Sequence, residues 1–310
     1  MQTGLVFCGG RGEVRARDNL SGDLMTSAEL TAAIRATRSF LCIGLDPDPA
    51  KLPACVLGYE DPVLEFNRRL IEATHDLCVA YKPNTAFYEA RGAAGWRTLE
   101  ETARLIPAGC LRIADAKRGD IGNTSALYAR AFFDALPFDA VTVAPYMGQD
   151  SVQPFLEGRP GKWAVLLALT SNPGAADFQT LAVQEGDPLS HSVAQSRSEP
   201  EALFERVLHR SQAWPHADQL MYVVGATRAE ALTRVRAIVP DAWLLVPGVG
   251  AQGGSLAEVA RLGMNGQVGL LVNSSREIIY ASGGEDFAEA AREAALRVQW
   301  QMAELLGSRP

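Results

Sequence analysis

The chain has 310 residues, with 29 Lys plus Arg against 36 Asp plus Glu and a formal net charge of −7. Hydrophobic residues make up 47% and charged residues 21%, which excludes a disordered, collagen-like or fibrous chain and gives enough length for a sizeable core. The acidic balance argues against general nucleic-acid or anionic-membrane binding, which needs a basic footprint, but leaves an anionic small-molecule substrate open.

Residues 1–25 are Gly- and charge-rich without periodicity. They read as a flexible tail ahead of a single domain over 26–310, with Met25 kept open as an alternative start. Thr26-Ser27-Ala28-Glu29 is a capping box that opens a helix through Leu30, Ala33 and Ile34. Apolar runs then recur at 40–46, 77–83, 111–117, 140–145, 163–171, 221–227, 243–250 and 268–276. Each reads as a strand buried on both faces, and most end in a polar, Gly or Pro cluster. Helix-patterned segments lie between most of them, at 62–75, 95–105, 124–134 and 255–262.

Eight strands alternating with helices predict parallel βαβ units closed into a (β/α)8 TIM barrel. An open doubly wound sheet is the alternative, but no Gly-x-Gly-x-x-Gly follows the first strand. The widest gap, 172–220, holds a polar stretch at 184–200 and a helix candidate at 201–211. It reads as an elaborated βα loop, part of it a candidate mobile lid. Phe287, Ala291, Ala294, Val298, Met302 and Leu305 recur at helical spacing within 285–306 and predict a closing helix.

The five cysteines, Cys8, Cys42, Cys55, Cys78 and Cys110, are odd in number and show no Cys-x-x-Cys pair. This predicts reduced, mostly buried thiols in a cytoplasmic protein. The four histidines, His75, His191, His209 and His216, lack metal-ligand spacing, so no metal site is expected. No apolar run approaches the roughly 18 residues of a membrane span.

Active sites of such barrels sit at the C-terminal ends of the strands. The polar residues there are Asp46 after the first strand, Lys82 after the second, and Asp115, Lys117 and Asp120 after the third. Ser171 and Asn172 follow the fifth, the run Pro247-Gly248-Val249-Gly250-Ala251-Gln252-Gly253-Gly254 follows the seventh, and Arg276 the eighth. The spacing Asp-x-Lys-x-x-Asp is weak by itself and equally describes a solvated loop with surface ion pairs. Its start inside an apolar strand is what turns Asp115 and Lys117 toward the mouth, where side-by-side charges are costly unless paired. Lys82 on the neighbouring strand needs a carboxylate that Asp115 can supply; the plain alternative is a lysine snorkelling to solvent. The Gly-rich turn and Arg276 suit a phosphate, through bare backbone N–H groups and a planar guanidinium. Asp46 suits a sugar hydroxyl or, equally, a turn before Pro47. The residues thus describe a phosphorylated small ligand whose reacting end faces a Lys/Asp array, with no cofactor fingerprint.

The run Asp115-Ala116-Lys117-Arg118-Gly119-Asp120-Ile121-Gly122-Asn123-Thr124 resembles the catalytic motif of the orotidine 5′-phosphate decarboxylase family. Collinear stretches at 40–49, 81–89, 142–148, 170–175, 223–227 and 247–254 extend the resemblance from about Phe40 to Tyr280. The motif and the long loop after the fifth strand are similar to the longer bacterial and archaeal subgroup.

The resemblance implies a TIM-barrel homodimer. It implies decarboxylation of orotidine monophosphate to uridine monophosphate, the last step of de novo pyrimidine synthesis, without metal or cofactor. It implies a catalytic tetrad of Lys82, Asp115, Lys117 and Asp120, with Lys117 protonating C6 and Asp115 facing the substrate carboxylate. Lys82 and Asp120 would hold the array and contact ribose hydroxyls. Asp120, Ile121 and Thr124 would reach in from the second subunit. Asp46 would bind ribose, Ser171 the pyrimidine edge, and Gln252 and Arg276 the phosphate, with Pro247 beside them.

Two other readings stay open on sequence. A Mg²⁺-dependent sugar-phosphate decarboxylase or aldolase of the same barrel type shares Asp-x-Lys-x-x-Asp, but Lys82 stands where a metal-binding carboxylate would be needed. A catalytically silent nucleotide-binding barrel is the other.

Overall fold

Thr26 N–H donates to Glu29 Oε2 at 2.6 Å and Glu29 N–H donates to Thr26 Oγ1 at 3.3 Å, so the capping box starts the helix Ser27–Thr37 as the sequence predicts. The computed structural model describes residues 25–183, 201–226, 229–249 and 253–307. Met25 is buried, and its carbonyl accepts a 2.7 Å hydrogen bond from Trp163 Nε1. The rest of the expected tail lies outside the described residues, as does the polar stretch 184–200.

Eight parallel strands close a barrel in sequence order. They are β1 (Leu41–Leu45), β2 (Ala80–Pro83), β3 (Leu111–Arg118), β4 (Ala140–Val143), β5 (Trp163–Leu169), β6 (Leu220–Val224), β7 (Trp243–Pro247) and β8 (Leu270–Ser274), with β8 pairing back onto β1. Each lies within or against one of the apolar runs. β1, β2, β4, β6 and β8 are buried along their whole length, because one face fills the barrel and the other lies under helices.

The helix Pro62–Thr74 shows how the outer ring is fixed. Asp61 caps it by accepting from the N–H groups of Val63 and Leu64, and Pro62 occupies its first turn, where no donor is missed. Its buried Phe66 stacks on Phe287 of the closing helix Phe287–Gly307, ring centroids 5.0 Å apart. That contact joins the first crossover to the last element.

Two helices differ from expectation. The segment 124–134 is α-helical only within Gly122–Arg130; it then widens to a π-helical turn, Ala131–Ala135, that turns Phe132 and Phe133 into the core. In 201–211, Glu201–Ala202 pairs antiparallel with Ala182–Val183, so the helix begins at Leu203. The four described cysteines are free, and Cys42, Cys78 and Cys110 are buried. No helix among the described residues is long and apolar enough to cross a membrane.

Gly225, just past β6, permits close approach to the end of β5. Its N–H donates to Leu169 O at 2.8 Å, and a Cβ there would lie 2.8 Å from Ser171 Cβ and 2.9 Å from Ser171 N. Gly225→Ala is therefore expected to destabilise the fold by about 1–3 kcal/mol through overpacking. Urea denaturation checks this; an unchanged midpoint would mean the Ser171 segment yields freely.

Candidate active site

The site begins with an irregularity in β3. Ala114 pairs with Val141 of β4, but the next partners are Arg118 and Val143, so β3 spends four steps where β4 takes two. The surplus arches Asp115, Ala116 and Lys117 out of the ladder. Lys117 sits at φ +47, a left-handed conformation that costs a side-chain-bearing residue about 1–3 kcal/mol. Its N–H finds a substitute acceptor in the buried Thr142 of β4, at 2.8 Å from Oγ1. The Thr142 hydroxyl in turn donates to Asp115 Oδ1 at 3.2 Å.

Asp115 is the centre of the charge array. Lys82 Nζ lies 2.7 Å from its Oδ2 and Lys117 Nζ lies 2.6 Å from its Oδ1. The Lys82 and Asp115 side chains are 6% and 11% exposed, whereas Lys117 is 50% exposed, which leaves its ammonium accessible to a ligand. Burial pushes the Asp115 carboxyl up, but the two ammonium groups outweigh it and hold the pKa down at about 2. Burial likewise works against the Lys82 charge, and the carboxylates of Asp115 and Asp46 reverse it, raising Lys82 above the usual lysine range. Lys82 and Asp115 are thus both charged around neutrality.

The other predicted residues fall into two groups. A cavity of about 170 Å³ joins Asp46, Lys82 and Asp115 to Pro247, Gly248 and Arg276 across the barrel mouth. Asp46 Oδ1 is buried there without a hydrogen-bond partner among the described residues, an acceptor left for a ligand. Arg276 is exposed on the first turn of the short helix Arg276–Ile279. Ser171 stands half-buried past the end of β5, backed by Gly225. Gln252 lies outside the described residues.

Asp120, Ile121 and Thr124 are not gathered onto the array. Asp120 has no ion-pair partner among the described residues, and its Oδ1 accepts only from the next residue's N–H, Ile121 N, at 2.8 Å. Ile121 and Thr124 are exposed at the start of the helix Gly122–Arg130.

The structure adds residues that sequence reasoning passed over. Thr142 sits inside an apolar run and reads as an ordinary strand former. Asn84 bridges to Asp115, and Asn273 and Ser275 line the cavity. Arg118 bonds Glu89 and lies 5.3 Å from the ring centroids of Tyr128 and Phe132, tying the end of β3 to the helix that follows. Tyr280 OH accepts from Asp48 N at 2.6 Å and donates to Asp46 O at 3.2 Å, fixing the turn that carries Asp46. The Asp-Pro-Asp sequence hinted at the turn, and nothing local pointed to its distant clamp.

Comparison with known proteins covers nearly the whole chain. The model of the family described as orotidine 5′-phosphate decarboxylase / HUMPS matches residues 39–294. The chain is 55% identical over 288 residues to the orotidine 5′-phosphate decarboxylase of Flavobacterium johnsoniae, covering 92% of this chain and 100% of that one. It is 53% identical over 285 residues to that of Bacteroides fragilis, covering 91% and 98%. Among solved structures it is similar to Leishmania donovani OMP decarboxylase, with a TM-score of 0.70 and 39% identity over 89% of this chain and 100% of that one.

The depressed Asp115 carboxyl sets a pH dependence of stability. Its pKa is about 2 in the folded protein against an ordinary 3.8, so its stabilisation is complete above the ordinary value and is lost as pH falls toward the folded one. Between about pH 5 and about pH 3 the protein should lose on the order of 1 kcal/mol more stability than Asp115→Asn, read from urea midpoints. Equal losses would mean the lysines do not hold the carboxyl down.

Proposed function

The chain belongs to the orotidine 5′-phosphate decarboxylase / HUMPS family and removes CO₂ from orotidine 5′-phosphate to give uridine 5′-phosphate, and we propose that Lys82, Asp115, Lys117 and Asp120 carry this step of pyrimidine synthesis. The observation that supports this most is the doubly bridged Asp115, with one buried and one half-exposed lysine on its two oxygens.

Cleavage of the bond between C6 and the carboxylate leaves an electron pair on C6 with no conjugated sink. The site must therefore stabilise that charge and protonate it at once. The Lys117 ammonium supplies the proton and becomes a neutral amine, which solvent reprotonates after release. Asp115 faces the substrate carboxylate, and Lys82 holds Asp115 while reaching toward the ribose.

Across the mouth, Asp46 takes a ribose hydroxyl through its unpartnered Oδ1. Ser171 meets the pyrimidine edge, and Arg276, Gln252 and the turn after Pro247 take the phosphate. Binding the remote phosphate supplies energy that the reacting end draws on.

A metal has no place in this proposal. Both Asp115 oxygens already meet ammonium groups, which repel a divalent cation, and among the described residues no His, Cys, Asp or Glu group of three or more forms a metal site. That chemistry weighs against the Mg²⁺-dependent alternative.

The working unit is a homodimer in which Asp120, Ile121 and Thr124 complete the partner's site. Ile121, Tyr146 and Met147, past the ends of β3 and β4, and Leu127 and Tyr128 on the helix Gly122–Arg130 support this, since all five are large apolar side chains exposed to water in a monomer. Reduced thiols support a cytoplasmic location.

Loss of orotidine 5′-phosphate absorbance with EDTA-treated protein tests substrate and metal independence together. Rapid conversion is expected; conversion only after adding Mg²⁺ would overturn the metal-free reading. Lys117→Ala should lower turnover by about 10²–10⁴-fold or more while still binding uridine 5′-phosphate, and near-normal turnover would remove Lys117 from the proton step. Mixing inactive Lys117→Ala with inactive Asp120→Ala should restore part of the activity, because one hybrid site then holds both wild-type residues. Absence of recovery, with subunit exchange demonstrated, would place Asp120 in its own subunit's site.

A further inference from the structure

We propose that Thr142 is a positioning residue for the decarboxylation, its single hydroxyl setting both the backbone turn that carries Lys117 and the carboxylate that Lys117 leans on. The inference rests on the roles proposed above for Asp115 and Lys117. It goes beyond them by assigning their placement to one neutral group on the neighbouring strand.

The geometry is specific. Between Ala114 and Arg118, β3 has two residues too many for the β4 ladder. The arch puts Lys117 at φ +47, where strand pairing no longer supplies an acceptor for its N–H. Thr142 Oγ1 accepts that N–H at 2.8 Å. A hydroxyl has one proton to give and two lone pairs to offer. The proton goes to Asp115 Oδ1 at 3.2 Å, the same oxygen that the Lys117 ammonium meets at 2.6 Å.

Backbone N–H, hydroxyl, carboxylate and ammonium thus form a closed loop that starts and ends on Lys117. Thr142 is 1% exposed, too deep to touch a ligand directly, so its influence passes through the two charged residues. Without the hydroxyl the Lys117 N–H loses its acceptor on β4, and Asp115 Oδ1 keeps only the half-exposed lysine as a partner. The ammonium then samples positions off the line to the reacting carbon, and misplacement of a reacting group on the order of 1 Å costs about a hundredfold in rate.

Thr142→Val keeps shape and removes the hydroxyl; Thr142→Ser keeps the hydroxyl and removes the methyl. The proposal expects Thr142→Val to lower kcat by about 10- to 100-fold, with KM for orotidine 5′-phosphate within about threefold and a thermal midpoint close to wild type. Thr142→Ser should restore kcat to within about threefold of wild type. Thr142→Ala provides the same comparison with serine if the valine variant does not fold.

The proposal falls if the hydroxyl-free variant keeps more than about a third of wild-type kcat. It also falls if serine loses as much as valine, which would make the methyl packing decisive, or if KM rises while kcat holds. Lys117→Ala is run alongside. If that variant still turns over, the proton-donor assignment has failed; if it is inactive while Thr142→Val is fully active, only the role of Thr142 has failed.

Discussion

A carboxylate sunk into the rim of a barrel is tolerable only where positive charge meets both of its oxygens. Asp115 has Lys82 on one side and Lys117 on the other, and much of the mouth is arranged to keep them there. Lys82 stands opposite Gly44 in the β1–β2 register. A Cβ at Gly44 would lie 1.8 Å from Ser275 Oγ, so glycine there keeps β1 from crowding the β8 loop. Asn84 forms a backbone bridge with Asp115, holding β2 and β3 together two residues beyond the lysine. The more exposed of the two lysines is the one free to meet a ligand, and the buried one is fixed by its burial. The proposed division between a reacting and a supporting lysine rests on this unequal exposure and not on any difference in residue type.

The opposite side of the mouth combines bare backbone with the charged Arg276 and Glu277. Past β7, Gly248 takes φ +92, a conformation that suits glycine and turns backbone toward the cavity. Past β8, Ser275 and Arg276 line the same space. Asp46 lines the same cavity, on a turn clamped by Tyr280, and its inner oxygen has no hydrogen-bond partner among the described residues. A ligand with an anion at one end, hydroxyls in the middle and a second anion at the other end fits that order of groups. The second anion would lie against Asp115, where repulsion is relieved when CO₂ leaves, an effect distinct from electrostatic stabilisation of the carbanion.

The barrel was legible because each strand is an apolar run long enough to be buried on both faces, and because Thr26 and Glu29 mark a helix start by side-chain chemistry alone. The Lys82–Asp115 pairing was legible too, since adjacent strands of a parallel barrel bring the ends of successive apolar runs together. The start of the motif inside an apolar strand also turned Asp115 and Lys117 toward the mouth, but the cause is more particular. The β3 arch has no sequence mark, because Ala114, Ala116 and Lys117 suit a regular strand equally well, and only the register against Val141 and Val143 reveals it. Thr142 was missed for the same reason: threonine in an apolar strand is common, and its role exists only once the neighbouring ladder breaks. The helix at 124–134 hid its π-turn because Phe132 and Phe133 fit a helical apolar face whether the last turn is tight or wide.

Asp120 shows where the geometry of one chain stops. It lies two residues beyond Arg118, whose guanidinium is held by Glu89 and by the faces of Tyr128 and Phe132. The segment leading to Asp120 is therefore anchored, yet among the described residues the carboxylate itself meets no cationic side chain. An anchored carboxylate without a counter-ion, followed by the exposed Ile121, is what a surface looks like when its partner group belongs to a second copy. In the proposed homodimer the exposed apolar residues past β3 and β4 would supply binding energy, and Asp120 would add a negative charge to an array that otherwise carries two lysines against Asp115. On that proposal the charge balance around Lys117 is reached only on association, which would link the chemistry of the site to burial of the face beside it.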